Sequence, residues 1–170
     1  MQSYQRIIHP FGPLYDKNSE ILILGSFPSV KSREQQFFYG HPQNRFWKVT
    51  AGVLSVPVPQ TIEEKKAMLH ENHIALWDVI AECEIIGSSD SSIRNVTPTD
   101  LSRILECARI RQIYANGNTA KKMFEKYQKK TLGRDVIGLP STSPANAAWS
   151  VERLQDAWGA ALKVGELHHA

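Results

Sequence analysis

The stretch "EILILGSFPSVKSREQQFFYGHPQNRFWKV", from Glu20 to Val49, joins a short apolar run to a long aromatic loop. Its first part, residues 20–24, predicts a buried strand, because Ile21 to Leu24 form a continuous apolar run. The loop that follows is too long for a simple connection and too apolar for a surface coil. We therefore expect a ligand to bind in this loop.

The rest of the chain continues the alternation of strand and helix. Further strands are predicted over 74–80, 110–115 and 135–139, and the Ser-rich segment 84–98 is interpreted as a loop. Helical periodicity covers 44–54, 61–72 and three later segments whose apolar faces begin at Leu101, Ala120 and Val151. This order is typical of an α/β fold with three α/β/α layers and a central four-stranded parallel sheet. We expect it to form a single domain over residues 1–170.

The composition is typical of a cytoplasmic globular protein. Hydrophobic residues make up 42% of the chain and charged residues 22%, and no apolar run has the length of a membrane helix. Residues 1–6 lack the pattern of a secretory signal, so we expect a cytoplasmic protein without membrane contact. Cys83 and Cys107 have no metal or redox spacing and are expected to be buried, reduced thiols. The net charge of +3 permits a polyanionic partner but does not indicate one.

The most unusual segments of the sequence follow the predicted strands. The segment "GSFP" begins at Gly25, "NG" begins at Asn116, and "PSTSPAN" spans 140–146. The carboxyl ends of parallel strands meet at one edge of a sheet, where ligands bind. We therefore expect a single site along this edge. Because no phosphate-binding loop, dinucleotide fingerprint or metal-ligand spacing is present, neither a metal nor a cofactor is expected.

Four motifs at this edge share their order with a known family. They are "GSFPS" from Gly25, "YGHPQNRFW" from Tyr39, "NG" at 116–117 and "LPSTSPANA" at 139–147. In this order the chain resembles the uracil-DNA glycosylase superfamily, most closely its hypoxanthine (deoxyinosine) DNA glycosylases. The resemblance implies a base-excision repair enzyme that flips a deaminated base out of damaged DNA and hydrolyses its N-glycosidic bond. It also implies the same four-stranded fold and a monomer without cofactor, acting in the cytoplasm on nucleoid DNA.

Two alternatives to a hypoxanthine glycosylase stay open. One is the same fold acting on uracil or on G:U and G:T mismatches. The other is a catalytically silent nucleic-acid-binding module, because Ser26 and Phe27 stand where uracil-specific relatives carry Asp or Asn, and neither is a general base at neutral pH. Only Lys31 and Lys48 lie in the motif region, and neither is expected to be desolvated, so a Schiff base is not expected and the enzyme should be monofunctional.

A flipped base needs an aromatic face and polar groups around its edge. The predicted base pocket consists of Gly25, Ser26, Phe27, Pro28, Tyr39, His41 and Asn116. Phe37 and Phe38 are further stacking candidates, and Phe46 and Trp47 are expected in the core. Two alternatives stay open here, since His41 could be a turn residue and Asn116 could simply begin a tight turn.

The predicted catalytic residue is Asn44. The resemblance implies this role, because the Asn of the "QNRFW" run is implicated in the hypoxanthine branch of the superfamily. An amide cannot deprotonate water, but its carbonyl can hold water and its nitrogen can bind the leaving base. The alternative is that Asn44 only caps the following helix.

The last motif is predicted to be a DNA-binding loop that enters the minor groove. Its residues are Ser141, Thr142, Ser143, Pro144, Ala145 and Asn146. Small residues let the backbone approach DNA closely, and hydroxyl groups can donate to phosphate oxygens. These side chains could also cap the last helix, which is compatible with DNA binding. The segment 87–95 is expected to line the pocket or contact a phosphate, although no single residue in it can be selected.

Overall fold

The computed structural model describes residues 3–162. In chain order its strands are β1 (Gln5–Ile8), β2 (Ile21–Gly25), β3 (Ile74–Asp78), β4 (Ile80–Ile85), β5 (Arg94–Pro98), β6 (Gln112–Asn116) and β7 (Val136–Leu139). Its helices are α1 (Val30–Gln35), α2 (Phe46–Leu54), α3 (Ile62–Glu71), α4 (Ser102–Cys107), α5 (Asn118–Tyr127), α6 (Lys129–Leu132) and α7 (Val151–Leu162). A short 3-10 helix spans Asp90–Ser92. The predicted helices are all present.

A four-stranded parallel sheet occupies the centre of the molecule. Its strand order is β3-β2-β6-β7, and Ile21 of β2 lies opposite Ile74 of β3 and Gln112 of β6. Strand β2 is buried along its whole length, because both faces of the sheet are covered. This explains the continuous apolar run at its position. The predicted fold class is confirmed.

Helices cover the two faces of this sheet. Ile21 and Ile23 pack in one cluster with side chains of α2, α3 and α7, whereas Leu22 and Leu24 pack in a second cluster with side chains of α4, α5 and β4. On the first face, Trp158 of α7 is fully buried and donates its Nε1–H to the Pro140 carbonyl at 2.9 Å. The helical layer thereby fixes the start of the loop after β7.

A second, antiparallel sheet of strand order β1-β4-β5 was not predicted. The interpretation of 84–98 as a loop is therefore wrong, because much of it belongs to β4 and β5. The prediction of one strand over 74–80 is also wrong, since β3 ends at Asp78 and the Val79 N–H donates to the Gly25 carbonyl before β4 begins. Register shifts between β4 and β5, and a φ of 54° at Asn95, interrupt the alternation from which strands are predicted.

The aromatic loop after β2 contains helix α1 and a cluster of stacked rings. Phe37 stacks on Trp47 with ring centres 6.0 Å apart, and Tyr39 stacks on Phe46 at 4.2 Å. Phe46 and Trp47 are buried in the core, as predicted. Part of the aromatic content of the loop therefore packs under the site instead of facing a ligand.

The two cysteines differ in exposure. Cys83 is buried, and burial raises the pKa of its thiol to about 11, so it stays protonated at neutral pH. Cys107 is exposed at the end of α4, so the prediction of a buried thiol is wrong at this position.

None of the helices between residues 3 and 162 is both long and apolar enough to cross a membrane.

Candidate active site

A cavity of about 290 Å³ opens at the carboxyl edge of the parallel sheet. The predicted residues that line it are Gly25, Ser26, Phe27, Pro28, Phe38, Tyr39, His41, Asn44, Asn116 and 141–145. Ser88 and Asp90 of the segment 87–95 also line it, so this segment does contribute to the pocket, and Ser29, Ser32 and Asp78, which the sequence did not single out, line it as well. Phe37 lies in the core instead. The volume is close to the lower end of small-molecule pockets and suits one planar base.

One wall of the cavity is a closed network of neutral side chains, which we call the amide wall (Asn44, Asn116 and Thr142). Asn116 Nδ2 donates to Thr142 Oγ1 at 3.0 Å, and Asn116 Oδ1 accepts from the Thr142 backbone N–H at 3.0 Å. Thr142 Oγ1 in turn donates to Asn44 Oδ1 at 2.8 Å. The network therefore joins the end of β6, the loop after β7 and the segment before α2.

The orientation of the Asn44 amide follows from a backbone contact. The Phe46 N–H donates to Asn44 Oδ1 at 2.9 Å, and a backbone N–H can only donate. The N-cap of α2 is Arg45, so the alternative that Asn44 caps this helix is wrong, although the Asn44 side chain does accept from the first N–H of the helix. Its carbonyl oxygen accepts two hydrogen bonds, which does not fit the expectation that it holds water. Its Nδ2 has no protein acceptor among residues 3–162 and is the group it can offer to a ligand.

The DNA-binding loop predicted after β7 is held from below by Arg45. The guanidinium of Arg45 donates to the Ser143 carbonyl at 2.8 Å, to the Asn146 carbonyl at 3.0 Å and to the Trp149 carbonyl. Its backbone N–H donates to the Thr142 carbonyl at 3.0 Å. Because these contacts satisfy several carbonyls at once, Arg45 fixes the shape of the loop.

Gly117 permits the same loop to approach β6 closely. Its φ is +94°, and a Cβ at this position would lie 3.0 Å from the Ser141 Cβ. A side chain at residue 117 would therefore strain the backbone and displace the loop. The "NG" motif thus has two roles. Gly117 forms the turn, and Asn116 belongs to the amide wall of the site.

The opposite wall contains two carboxyl groups and is called here the carboxylate wall (Asp78 and Asp90, with their partners His9 and Ser26). Asp78 Oδ2 lies 2.7 Å from His9 Nε2, and their side chains are only 6% and 3% exposed. Among residues 3–162, Asp78 Oδ1 has no hydrogen-bond donor. A Cβ at Gly25 would lie 2.5 Å from this oxygen, so glycine is required for the approach of the carboxylate.

Asp90 reaches the cavity from the 3-10 helix between β4 and β5. Ser26 Oγ donates to Asp90 Oδ1 at 2.9 Å. Desolvation raises the pKa of the Asp90 carboxyl, and repulsion from Asp78 raises it further, while the Ser26 hydrogen bond opposes both. Ser26 of the first motif thus binds a carboxylate that lies 64 residues away in the chain.

Tyr39 lies between the two walls. Its backbone is in the left-handed region with a φ of 51°, and one face of its ring is covered by Phe46. Its hydroxyl is buried without a well-formed hydrogen bond to any described residue. Burial and the nearby Asp78 carboxylate raise the pKa of this hydroxyl far above its usual value, so Tyr39 is neutral.

An open groove of about 880 Å³ adjoins the cavity. It runs past the start of α5 and the loop after β7 and includes Lys121, Asn146 and Trp149. Asn146 lies in this groove and not in the cavity. Ser88, Asp90, Ser141, Ser143 and Ala145 line both spaces and therefore form the mouth of the cavity.

Sequence reasoning missed the residues that hold the loops and the carboxylates. Asp78 lies inside the strand predicted over 74–80, and it stands at the site edge because β3 ends there, two residues earlier than predicted. Asp90 lies in the segment 87–95, but nothing in the sequence distinguishes it from its neighbours. His9 follows β1, which was not predicted, and Arg45 acts on carbonyl groups, which leave no pattern in a sequence.

Comparisons with known proteins agree with this architecture. Residues 13–162 match the family model of the Uracil DNA glycosylase superfamily. A curated Hypoxanthine DNA glycosylase of Methanosarcina acetivorans is 36% identical over 157 residues, which cover 90% of this chain and 96% of the relative. One of Methanosarcina barkeri is 31% identical with the same coverage. A solution NMR structure from Methanosarcina acetivorans, assigned to the uracil DNA glycosylases, superposes with a TM-score of 0.79 at 34% identity and covers 94% of this chain and 99% of its own.

Proposed function

The chain belongs to the uracil-DNA glycosylase superfamily, and from this membership we propose that it removes hypoxanthine from deoxyinosine in damaged DNA. The observation that carries the proposal is the cavity itself, a base-sized space at the sheet edge that contains the Asn44 amide nitrogen and opens into a groove. The choice of hypoxanthine is supported by the two Methanosarcina relatives of that name, which align along nearly their whole length.

In the proposed reaction the base leaves before water adds fully. The C1′–N9 bond breaks, its electron pair goes to the base, and the sugar becomes cation-like. The oxygen of a water molecule then bonds to C1′, and the departing base gains a proton, which gives hypoxanthine and an abasic strand. Asn44 Nδ2 supports the leaving base by donating to an acceptor on it, since this group faces the cavity without a protein partner.

The cavity offers an acceptor for the ring N–H that distinguishes hypoxanthine from adenine. Hypoxanthine carries a carbonyl at position 6 and a proton on N1, whereas adenine carries an amino group and an unprotonated N1. Asp78 Oδ1 can accept from the N1–H, because His9 holds the carboxylate at the cavity. Against adenine this buried acceptor would stay unpaired, and such mismatches discriminate by about four orders of magnitude or more.

Simple hydrolysis is the proposed chemistry. Lys31 lies on the surface within 3.4 Å of Glu34, and neither it nor Lys48 lines the cavity. This supports a monofunctional enzyme, since a Schiff base needs an amine at the sugar. We further propose that a single domain acts as a monomer, in the cytoplasm, on nucleoid DNA.

The test is single-turnover cleavage of matched oligonucleotides that carry one inosine, xanthine, uracil or adenine. We expect inosine to be excised and adenine to be left intact, with no covalent adduct after borohydride. Excision of uracil or of G:T mismatches alone would support the first alternative. DNA binding without excision of any base would support the silent binding module and overturn the proposal.

A further inference from the structure

The proposed reaction needs a group that takes a proton from the attacking water, and the neutral amides and hydroxyl of the amide wall cannot do so. Asn44 Oδ1 already accepts from Phe46 and Thr142, and Asn116 binds Thr142 through its amide oxygen and its amide nitrogen. Ser26 donates its hydroxyl proton to Asp90. A general base must therefore come from a side chain outside the amide wall.

The mouth of the cavity is where the sugar has to lie. When the base occupies the cavity and the DNA backbone follows the groove, the bond between them crosses the mouth. The mouth is lined by Ser88, Asp90, Ser141, Ser143 and Ala145. Among these residues only Asp90 can act as a base.

The structure also holds Asp90 in place. Ser26 fixes Oδ1, while Oδ2 has no protein donor among residues 3–162. The supporting loop is fastened to the first motif, because Arg33 donates to the Gly87 carbonyl at 3.2 Å and the Val30 N–H donates to Ser88 Oγ at 2.9 Å. One carboxylate oxygen is thus anchored and the other is available.

We propose that Asp90 is the catalytic residue that binds and deprotonates the water attacking C1′. This inference rests on the proposed function. After the electron pair of the C1′–N9 bond has begun to leave with the base, the water oxygen bonds to C1′ and the water gives one proton to Asp90 Oδ2. This proton then passes from Asp90 to the departing hypoxanthine, directly or through solvent, which regenerates the carboxylate. Desolvation and the Asp78 carboxylate raise the pKa of Asp90, while the nearby Cys83 thiol is neutral, so the ionised group is a stronger base than an unperturbed aspartate.

The decisive variant is Asp90→Asn, compared with wild type in single-turnover excision and in DNA affinity. The amide oxygen of asparagine can still accept from Ser26 Oγ, but it cannot take a proton. We expect excision to fall by at least about a hundredfold, the usual contribution of a general base. DNA affinity should be equal or higher, because a negative charge beside the phosphates is removed.

The matched control is Asp135→Asn. Asp135 pairs with Lys129 on the surface, outside the cavity and the groove, so this variant removes the same charge without touching the site. It should excise inosine like wild type. Asp90→Ala adds a second readout, since formate, a small carboxylate, should restore part of its activity but should not restore Asn44→Ala.

The outcomes separate the two proposals. Near-normal excision by Asp90→Asn overturns the inference, and so does a loss of activity that follows a loss of folding or of DNA affinity without formate rescue. If wild type excises uracil and not inosine, the proposed substrate is wrong, while slow uracil excision by Asp90→Asn still supports the inference. If wild type excises nothing, both proposals fail.

Discussion

The two walls of the cavity are built on different principles. In the amide wall, Asn116 and Thr142 bind each other and Thr142 binds Asn44, while the Asn44 nitrogen has no protein acceptor among residues 3–162 and can donate to a ligand. In the carboxylate wall, Asp78 and Asp90 each have one oxygen held by a single partner. The amide wall therefore supplies shape and one donor, whereas the carboxylate wall supplies acceptors. A base with both a carbonyl and a ring N–H is complementary to this pair of walls.

The largest effect on excision is expected from a substitution that removes the donor of the amide wall. Asn44→Ala should slow inosine excision by about a hundredfold to a thousandfold, as expected for losing one preorganised donor. Asn44→Asp is the matched variant, because its oxygens can still accept from Phe46 and Thr142 while the nitrogen donor is gone. It should be as slow as Asn44→Ala in single-turnover assays.

Measurements of stability separate the role of the Asn44 side-chain oxygen from that of its nitrogen. Asn44→Ala should lower the free energy of unfolding by about 1–2 kcal/mol, because the Phe46 N–H and the Thr142 hydroxyl lose their acceptor, whereas Asn44→Asp should not. If Asn44→Ala excises inosine at a near-normal rate, the assignment of the donor is wrong and the residue serves only the helix.

The next largest effect is on stability, and it is expected when the Asp78 carboxylate of the opposite wall loses its partner. His9→Ala should destabilise the protein by about 3 kcal/mol, because Asp78 would stay buried and charged. For a chain of this length that corresponds to a melting temperature lower by roughly 6–12 °C. The double variant with Asp78→Asn should recover part of the loss in thermal unfolding, and additive losses would show that the two side chains are not coupled.

A smaller effect concerns the arginines that hold the loops. Arg45→Met should lower stability by about 2 kcal/mol, because several loop carbonyls lose charged donors, and should weaken DNA binding through the loop after β7. Arg33→Met is the matched comparison, since Arg33 donates to only Pro28 and Gly87. Denaturant unfolding and DNA titration should show the smaller change for Arg33→Met; equal changes would contradict this ranking.

The smallest effect is a shift in pH dependence. Because the pKa of Asp90 is raised by desolvation and by Asp78, its carboxyl loses its charge at a higher pH than an unperturbed aspartate as the solution is acidified. Single-turnover excision should therefore decline on the acid side at a higher pH than an unperturbed aspartate would cause, and Asp90→Asn should lack this decline. The other titratable groups at the site are Asp78, Tyr39 and His41 in the cavity, His9 on Asp78, Cys83 beside the carboxyl and Lys121 in the groove. An unchanged acid-side decline in Asp90→Asn would contradict its assignment to Asp90.

The sequence predicted the parallel sheet and most of the amide wall for the same reason. Strand β2 is a continuous apolar run, Asn116 ends β6 and Thr142 lies in the loop after β7, so periodicity and position identify all three. Asn44 required a resemblance to a family, because it has no local pattern of its own.

The carboxylate wall could not be predicted in this way. Asp90 is separated by 64 residues from Ser26, and their contact depends on the pairing of β4 with β5. Those strands carry register shifts and a residue with positive φ, which remove the period-two signal. His9 depends on β1, whose pairing with β4 is likewise a long-range contact that local sequence does not specify.

The position of β1 has a practical consequence for the design of N-terminal truncations. The family match begins at residue 13, so cutting the chain at that boundary would delete β1 and His9 together. Asp78 would lose its partner, and β4 would gain an open edge along which another molecule can add a strand. We therefore expect the shortened protein to aggregate during purification. An affinity tag is better fused to the carboxyl end than used to replace the first strand.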